Sequence, residues 1–164
     1  PTFQHQTNKK RKNTEEKKMS SQILSQSTAE KKSPPGKEKY QSVMLIDDNS
    51  LDNFINKKMI ESNGFAENVV TYQEAKEALT FLKTATESTW PEIIFLDIMM
   101  PEMDGFMFLD EFEKLPENQR MKIKIVMLST SESFRDLNRA NKNPFVRKFL
   151  NKPLTQQVLQ AINV

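Results

Sequence analysis

From residue 43 onward, short apolar runs alternate with longer stretches whose apolar side chains recur at helical spacing. Val43-Met44-Leu45-Ile46, Ile93-Ile94-Phe95-Leu96 and Ile123-Lys124-Ile125-Val126-Met127-Leu128 hold almost no polar residues. That is the pattern of strands covered on both faces. Asn68-Val69-Val70-Thr71 and residues 146–150 are shorter strand candidates. Between them, Asn49-Ser50 offers an N-cap for a helix of about thirteen residues. Its inner stripe is expected to be Leu51, Phe54, Ile55, Met59 and Ile60, with Gly64 just past its end. Gln73–Lys83 forms a second helix with Ala75, Ala78, Leu79 and Leu82 inward. A third runs from Gly105 to about Leu115, with Phe106, Leu109 and Phe112 inward, and Pro116-Glu117-Asn118 breaks it. Ser133–Asn141 is a short polar helix. Thr155 caps the last one, with Val158, Leu159 and Ile162 inward.

Strand and helix thus alternate five times. This predicts an α/β protein with a parallel sheet, right-handed crossovers and helices on both faces, a doubly wound (βα)5 fold. The order of strands in the sheet is not readable from periodicity.

Composition divides the chain. Residues 1–40 are poor in apolar side chains and carry ten Lys/Arg against four Asp/Glu, a net +6, including the block Lys9-Lys10-Arg11-Lys12. They read as a basic tail or linker ending in the breaker cluster Ser33-Pro34-Pro35-Gly36. Residues 41–164 carry fourteen against eighteen, a net −4, and read as one domain. The basic block suits a nucleic-acid or localisation patch, or simply a solvated run. There is no cysteine, and His5 is the single histidine. Disulfides, zinc–cysteine sites, a catalytic thiol and a Ser–His dyad are therefore excluded. No apolar run reaches membrane-spanning length and no signal-peptide pattern is present, so a cytoplasmic protein is expected.

Candidate chemistry emerges from the residues that follow each strand. The first strand ends in Asp47-Asp48, the third in Asp97, the fourth in Ser129 and the fifth, one residue on, in Lys152. In a parallel sheet these ends share one edge, the edge where open α/β sheets bind ligands. Asp97 alone could be a helix cap. Three carboxylates converging there repel one another, and a hard divalent cation relieves that repulsion. Mg²⁺ fits best, because it takes oxygen ligands and is satisfied by one or two carboxylates plus phosphate oxygens. A plain metal site has no need of Lys152. An ammonium beside carboxylates and a cation suits a phosphoryl group, and aspartate is a competent phosphoryl acceptor. Lys152 could also simply form a salt bridge to Asp97, which a phosphoryl group would displace.

Four segments, in order, closely resemble the receiver domain of two-component response regulators across about residues 41–164. They are Leu45-Ile46-Asp47-Asp48, Leu96-Asp97-Ile98-Met99-Met100-Pro101-Glu102-Met103-Asp104-Gly105, Met127-Leu128-Ser129 and Asn151-Lys152-Pro153-Leu154. The resemblance implies a flavodoxin-like three-layer sandwich with strand order 2-1-3-4-5. It implies that Asp97 is the phosphoacceptor. Asp48, Asp97 and the backbone carbonyl of Met99 would be direct Mg²⁺ ligands, with Asp47 acting through water. Lys152 and Ser129 would bind the phosphoryl group, and Ser129 and Phe149 would form the switch. Phe149 stands where the family often has tyrosine, so a switch here works by ring packing without a phenol hydroxyl. The Lys152–Pro153 bond is expected to be cis. Met99 and Ser131 occupy two positions that tune the lifetime of the phosphoryl group.

By this resemblance the chain is expected to be a stand-alone receiver and a phosphoacceptor rather than an enzyme. It would take its phosphoryl group from the phosphohistidine of a sensor histidine kinase. Output would run through the surface of the predicted fourth helix, fifth strand and fifth helix, either to an effector or to a histidine phosphotransfer protein. Direct nucleic-acid or membrane binding is not expected of the acidic domain. Two alternatives carry different chemistry. One is a receiver-like interaction module that works without phosphorylation. The other is an Asp-nucleophile phosphatase, which needs a second Asp two residues after the first, where this chain has Met99.

Overall fold

The computed structural model describes residues 39–130 and 133–164. The tail assigned to residues 1–40 therefore lies almost wholly outside the described residues, as does Ser131. The strands are β1 (Tyr40–Ile46), β2 (Ala66–Tyr72), β3 (Ile93–Asp97), β4 (Lys124–Ser129) and β5 (Val146–Asn151). The helices are α1 (Ser50–Ser62), α2 (Ala75–Thr84), α3 (Gly105–Phe112), α4 (Glu117–Lys122), α5 (Phe134–Lys142) and α6 (Gln156–Ala161). A 3₁₀ turn covers Glu87–Thr89. All five strands run parallel in the order β2-β1-β3-β4-β5, which is the flavodoxin-like order.

The sheet divides the core in two. Met44, Ile46, Ile94, Leu96, Ile125 and Met127 point to one side, against α2, α3 and Ala140 of α5. Val43, Leu45, Ile93, Phe95, Val126 and Leu128 point to the other, against Ile60 of α1 and Leu159 of α6. Successive residues of β1, β3 and β4 thus feed opposite layers, which is why these strands are apolar throughout.

Two expectations are corrected. The first concerns α1. Leu51, Phe54 and Ile55 are 61%, 59% and 41% exposed, whereas Asn53, Asn56 and Ile60 face inward. The buried asparagines are held by backbone groups at the strand ends. Asn53 Nδ2 donates to the carbonyls of Asp47 (2.7 Å) and Tyr72 (3.1 Å), and Asn56 Oδ1 accepts from the amide of Leu154 (3.1 Å). These bonds rotate the helix away from the orientation its apolar stripe would select. The second concerns Pro116. α3 already ends at Phe112, and Pro116 instead starts α4, as the residue before Glu117; Gln119 is buried with its amide donating to the carbonyl of Leu82 (2.8 Å). Proline suits a helix start, where its missing N–H costs nothing. The predicted fourth and fifth helices are accordingly α5 and α6.

Other local signals hold. Asn49 caps α1, accepting from the amides of Leu51 and Asp52, and Thr155 caps α6. Gly64 follows α1 at φ +58°, the left-handed conformation a glycine takes without strain. α5 is thinly attached. Ala140 is its buried residue, Phe134 is 81% exposed, and the Arg139 guanidinium lies 4.0 Å from the Phe106 ring centre on α3.

Candidate functional site

Strand register assembles the site. Ile46 pairs with Leu96 across β1 and β3, so Asp47, one residue on, comes level with Asp97. Asp97 pairs with Leu128 across β3 and β4, and Ser129 with Asn151 across β4 and β5. The amide of Lys152 then donates to the Ser129 carbonyl (2.8 Å), turning the chain at the same edge. A carboxylate from Asp47, Asp48 and Asp97 each offers an oxygen within 4.8 Å of the others. Asp47 and Asp97 are buried at 2% and 3% exposure, and Asp48 is exposed at the rim.

Lys152 enters this corner with its side chain 8% exposed. Its Nζ lies 2.6 Å from Asp47 Oδ2, 3.0 Å from Asp97 Oδ1 and 3.2 Å from Asp52 Oδ2. Burial opposes the charged ammonium, but hydrogen bonds and charge from Asp47 and Asp97 outweigh it and hold its pKa above the ordinary lysine value. For Asp97 burial is the larger effect and raises its pKa. Lys152 pulls it back and the charges of Asp47 and Asp48 push it up. Asp47 is raised in the same way, against Lys152 and the Asn49 amide that donates to its Oδ1 (3.0 Å). One ammonium does not neutralise three clustered carboxylates, two of them buried. The corner is thus short of positive charge.

The loop after β3 shapes the near wall. Glu102 turns it at φ +61°, and Asp104 caps α3 by accepting from the Met107 amide (2.7 Å). Gly105 is required by space. A Cβ there would lie 2.5 Å from the Asp97 carbonyl oxygen and 3.0 Å from Ile98 Cα, both backbone atoms. The Met99 side chain is 69% exposed. Ser129 is buried at the end of β4. The Lys152–Pro153 bond is cis. Phe149 stands apart from the carboxylates. It is half-buried on β5, packs against the α2–α3 layer, and lines a groove of about 550 Å³ with Ser133, Phe134, Leu137, Leu150 and Val158.

Sequence reasoning missed Asp52, Asn53 and Asn56. A signal for Asp52 existed: it is in the first turn of a helix that starts beside Asp48, so it cannot lie far from the strand edge. No pattern reveals the two asparagines, because polar residues facing a core contradict amphipathic spacing.

The model of the response regulator receiver domain family matches residues 43–163. Among solved structures, a two-component response regulator from Cytophaga hutchinsonii superposes with a TM-score of 0.68 at 32% identity, over 74% of this chain and 92% of that one. The probable methanogenesis regulatory protein FilR2 of Methanothrix harundinacea is 29% identical over 121 residues, 72% of this chain and 76% of its own. A protein-glutamate methylesterase/protein-glutamine glutaminase 3 of Burkholderia thailandensis is 34% identical over 96 residues. That match spans 57% of this chain but 24% of the relative, so its esterase activity does not carry over. Five parallel strands in this order, an acidic corner crossed by one lysine and a family match over most of the chain agree: this protein belongs to the response regulator receiver domain family of two-component signalling.

Proposed function

We propose that the chain accepts a phosphoryl group on Asp97 from the phosphohistidine of a sensor histidine kinase, with Mg²⁺, and changes partner binding as a result. The observation that carries this reading is the position of Lys152 Nζ, 2.6 Å from Asp47 and 3.0 Å from Asp97 in a corner that still lacks positive charge. A hard divalent cation fits the donor set, which is all oxygen and clustered within 4.8 Å. Asp48 and Asp97 would hold it directly with the Met99 carbonyl, and Asp47 through water. When bound, the ion neutralises charge on the carboxylates and on the transferring group.

The chain's own residues supply the rest. An Asp97 carboxylate oxygen attacks phosphorus, the P–N bond of the donor breaks, and the imidazole leaves with the bonding pair and takes up a proton. Lys152 releases Asp97 and orients the phosphoryl oxygens. The hydroxyl of Ser129, at the end of β4, supplies a further hydrogen bond to those oxygens. The donor approaches over the rim, where α1 exposes Leu51, Phe54 and Ile55. Output uses the groove between α5, β5 and α6, where Phe149 can repack against Phe134 and Leu137. A phosphotransfer protein or an effector docking there completes the relay.

Intact-mass measurement after incubation with a small acyl phosphate and Mg²⁺ tests the reading. A single gain of one phosphate is expected, lost on omitting Mg²⁺ and abolished by Asp97→Asn. No gain with any donor and ion would overturn it in favour of a phosphorylation-independent module.

A further inference from the structure

Lys152 has a third carboxylate partner outside the cation cluster. Asp52 Oδ2 lies 3.2 Å from Lys152 Nζ, and the Asp52 side chain is 31% exposed. An ammonium has three N–H donors, and here three carboxylates, those of Asp47, Asp97 and Asp52, each have an oxygen within 3.2 Å of it. The contact is built on both sides. The Asp52 amide is tied to the Asn49 cap, and its neighbour Asn53 pins the first turn of α1 to the carbonyls of Asp47 and Tyr72. Two residues past Lys152, the Leu154 amide is held by Asn56 of the same helix. Helix α1 and the β5–α6 turn are therefore joined so that Asp52 faces Lys152 with little freedom.

The three carboxylates differ in their other commitments. Asp47 and Asp97 belong to the group whose oxygens converge, and Asp52 does not. A cation in the corner draws on Asp47 and Asp97, and a phosphoryl group on Asp97 removes that carboxylate from Lys152 altogether. Asp52 is the acceptor that neither event claims.

We propose that Asp52 is a positioning residue for Lys152, an inference that rests on the phosphoacceptor reading of Asp97. It shares the ammonium, keeps it from resting wholly on two of the three carboxylates that the cation draws on, and tempers its charge toward phosphate. Two consequences have opposite signs. Without the Asp52 charge, Lys152 falls more fully on Asp47 and Asp97, so Mg²⁺ binds more weakly. At saturating Mg²⁺, the same less-compensated ammonium attracts the phosphodonor more strongly. A merely structural role for Asp52 would weaken both.

The test compares the full chain with Asp52→Asn and Asp52→Glu. Mg²⁺ binding is measured by calorimetric titration, and acyl phosphate dependence by intact mass at saturating Mg²⁺. Asp52→Asn is expected to raise the Mg²⁺ half-saturation and lower that of the donor, each roughly three- to tenfold, with Asp52→Glu returning both toward the parent values. In a Lys152→Ala background, Asp52→Asn should move the Mg²⁺ value by less than about twofold, since coupling between contacting residues vanishes with its partner. An unchanged Mg²⁺ half-saturation overturns the proposal, as does an equal shift in both backgrounds or a weakening of both ligands. If the parent chain takes up no phosphate, the acceptor reading fails by itself. The Mg²⁺ titrations, which need no phosphate, still decide whether Asp52 acts on Lys152.

Discussion

Asp97 shares its buried corner with Asp47, and Asp48 stands at the rim, so its charge has a cost in the folded chain. Burial first, then its acidic neighbours, raise its pKa above the ordinary 3.8 despite Lys152. As pH rises through 3.8 the unfolded chain gives up this proton before the folded one. The folded state therefore loses stability between that value and the raised one, and the loss persists at neutral pH. Lys152 has the opposite sign: its pKa is raised, so its contribution is present below 10.5 and fades as pH climbs through the higher native value. Asp97→Asn removes the first effect and leaves Lys152 its bridges to Asp47 and Asp52. In the absence of divalent ions the variant should melt higher than the parent near pH 7, by roughly 2–6 °C. That gap should shrink as pH falls through the raised native value and close below 3.8, where Asp97 is protonated in the folded and the unfolded chain alike. Thermal unfolding followed by circular dichroism across pH checks it, and a variant that melts lower at pH 7 would contradict this account. Asp47 and Asp97 were legible in the sequence because each follows directly on an apolar run, and strand ends are the sharpest boundaries that hydrophobic patterning provides. For Asp52 only its place near the strand edge was legible; its contact with Lys152, 100 residues away in sequence, was not.

Among the elements, α1 separates what periodicity can and cannot specify. Its length, its Asn49 cap and its Gly64 terminus follow from local chemistry and were readable. Its rotation was not. Apolar spacing selects Leu51, Phe54 and Ile55 for the core, but the side chains that enter are Asn53 and Asn56. Their partners are carbonyls and an amide at the ends of β1 and β2 and after β5, groups that three-dimensional assembly alone brings near. A hydrogen bond to such a buried group is costly to lose, by about 1–3 kcal/mol, since the group then lies unsatisfied. Asn56→Ala should accordingly lower stability by that amount in chemical denaturation. Phe54→Ser, although it removes a large apolar side chain, should change it by no more than about 0.5 kcal/mol. The reverse ranking would mean that α1 packs by its apolar stripe after all. The same limit explains α4: Pro116 was readable as a stop, but its use as a start depends on Gln119 finding the Leu82 carbonyl.

At the scale of the whole molecule, the reversal of strand order beside β1 sets the position of the site. β1 and β3 are adjacent although β2 lies between them in sequence, and a crevice opens where the connections leave in opposite directions. Both central strands are buried throughout their apolar runs and covered on two faces, so Asp47 and Asp97 are fixed to the most deeply packed part of the fold. The α5 side is built otherwise. α5 buries Ala140, leans on Phe106 through Arg139 and leaves Phe134 in solvent. Local opening draws on the segments with the least buried apolar contact. In amide hydrogen exchange, the backbone protons of α5 should therefore be replaced by deuterium through a brief unfastening of that one helix, roughly a hundredfold or more faster than those of β1 and β3, which await global unfolding. Equal protection in α5 and β3 would refute this. A helix that unfastens by itself lets the protein renew the surface around Phe149 while the strand ends that carry Asp47 and Asp97 stay folded.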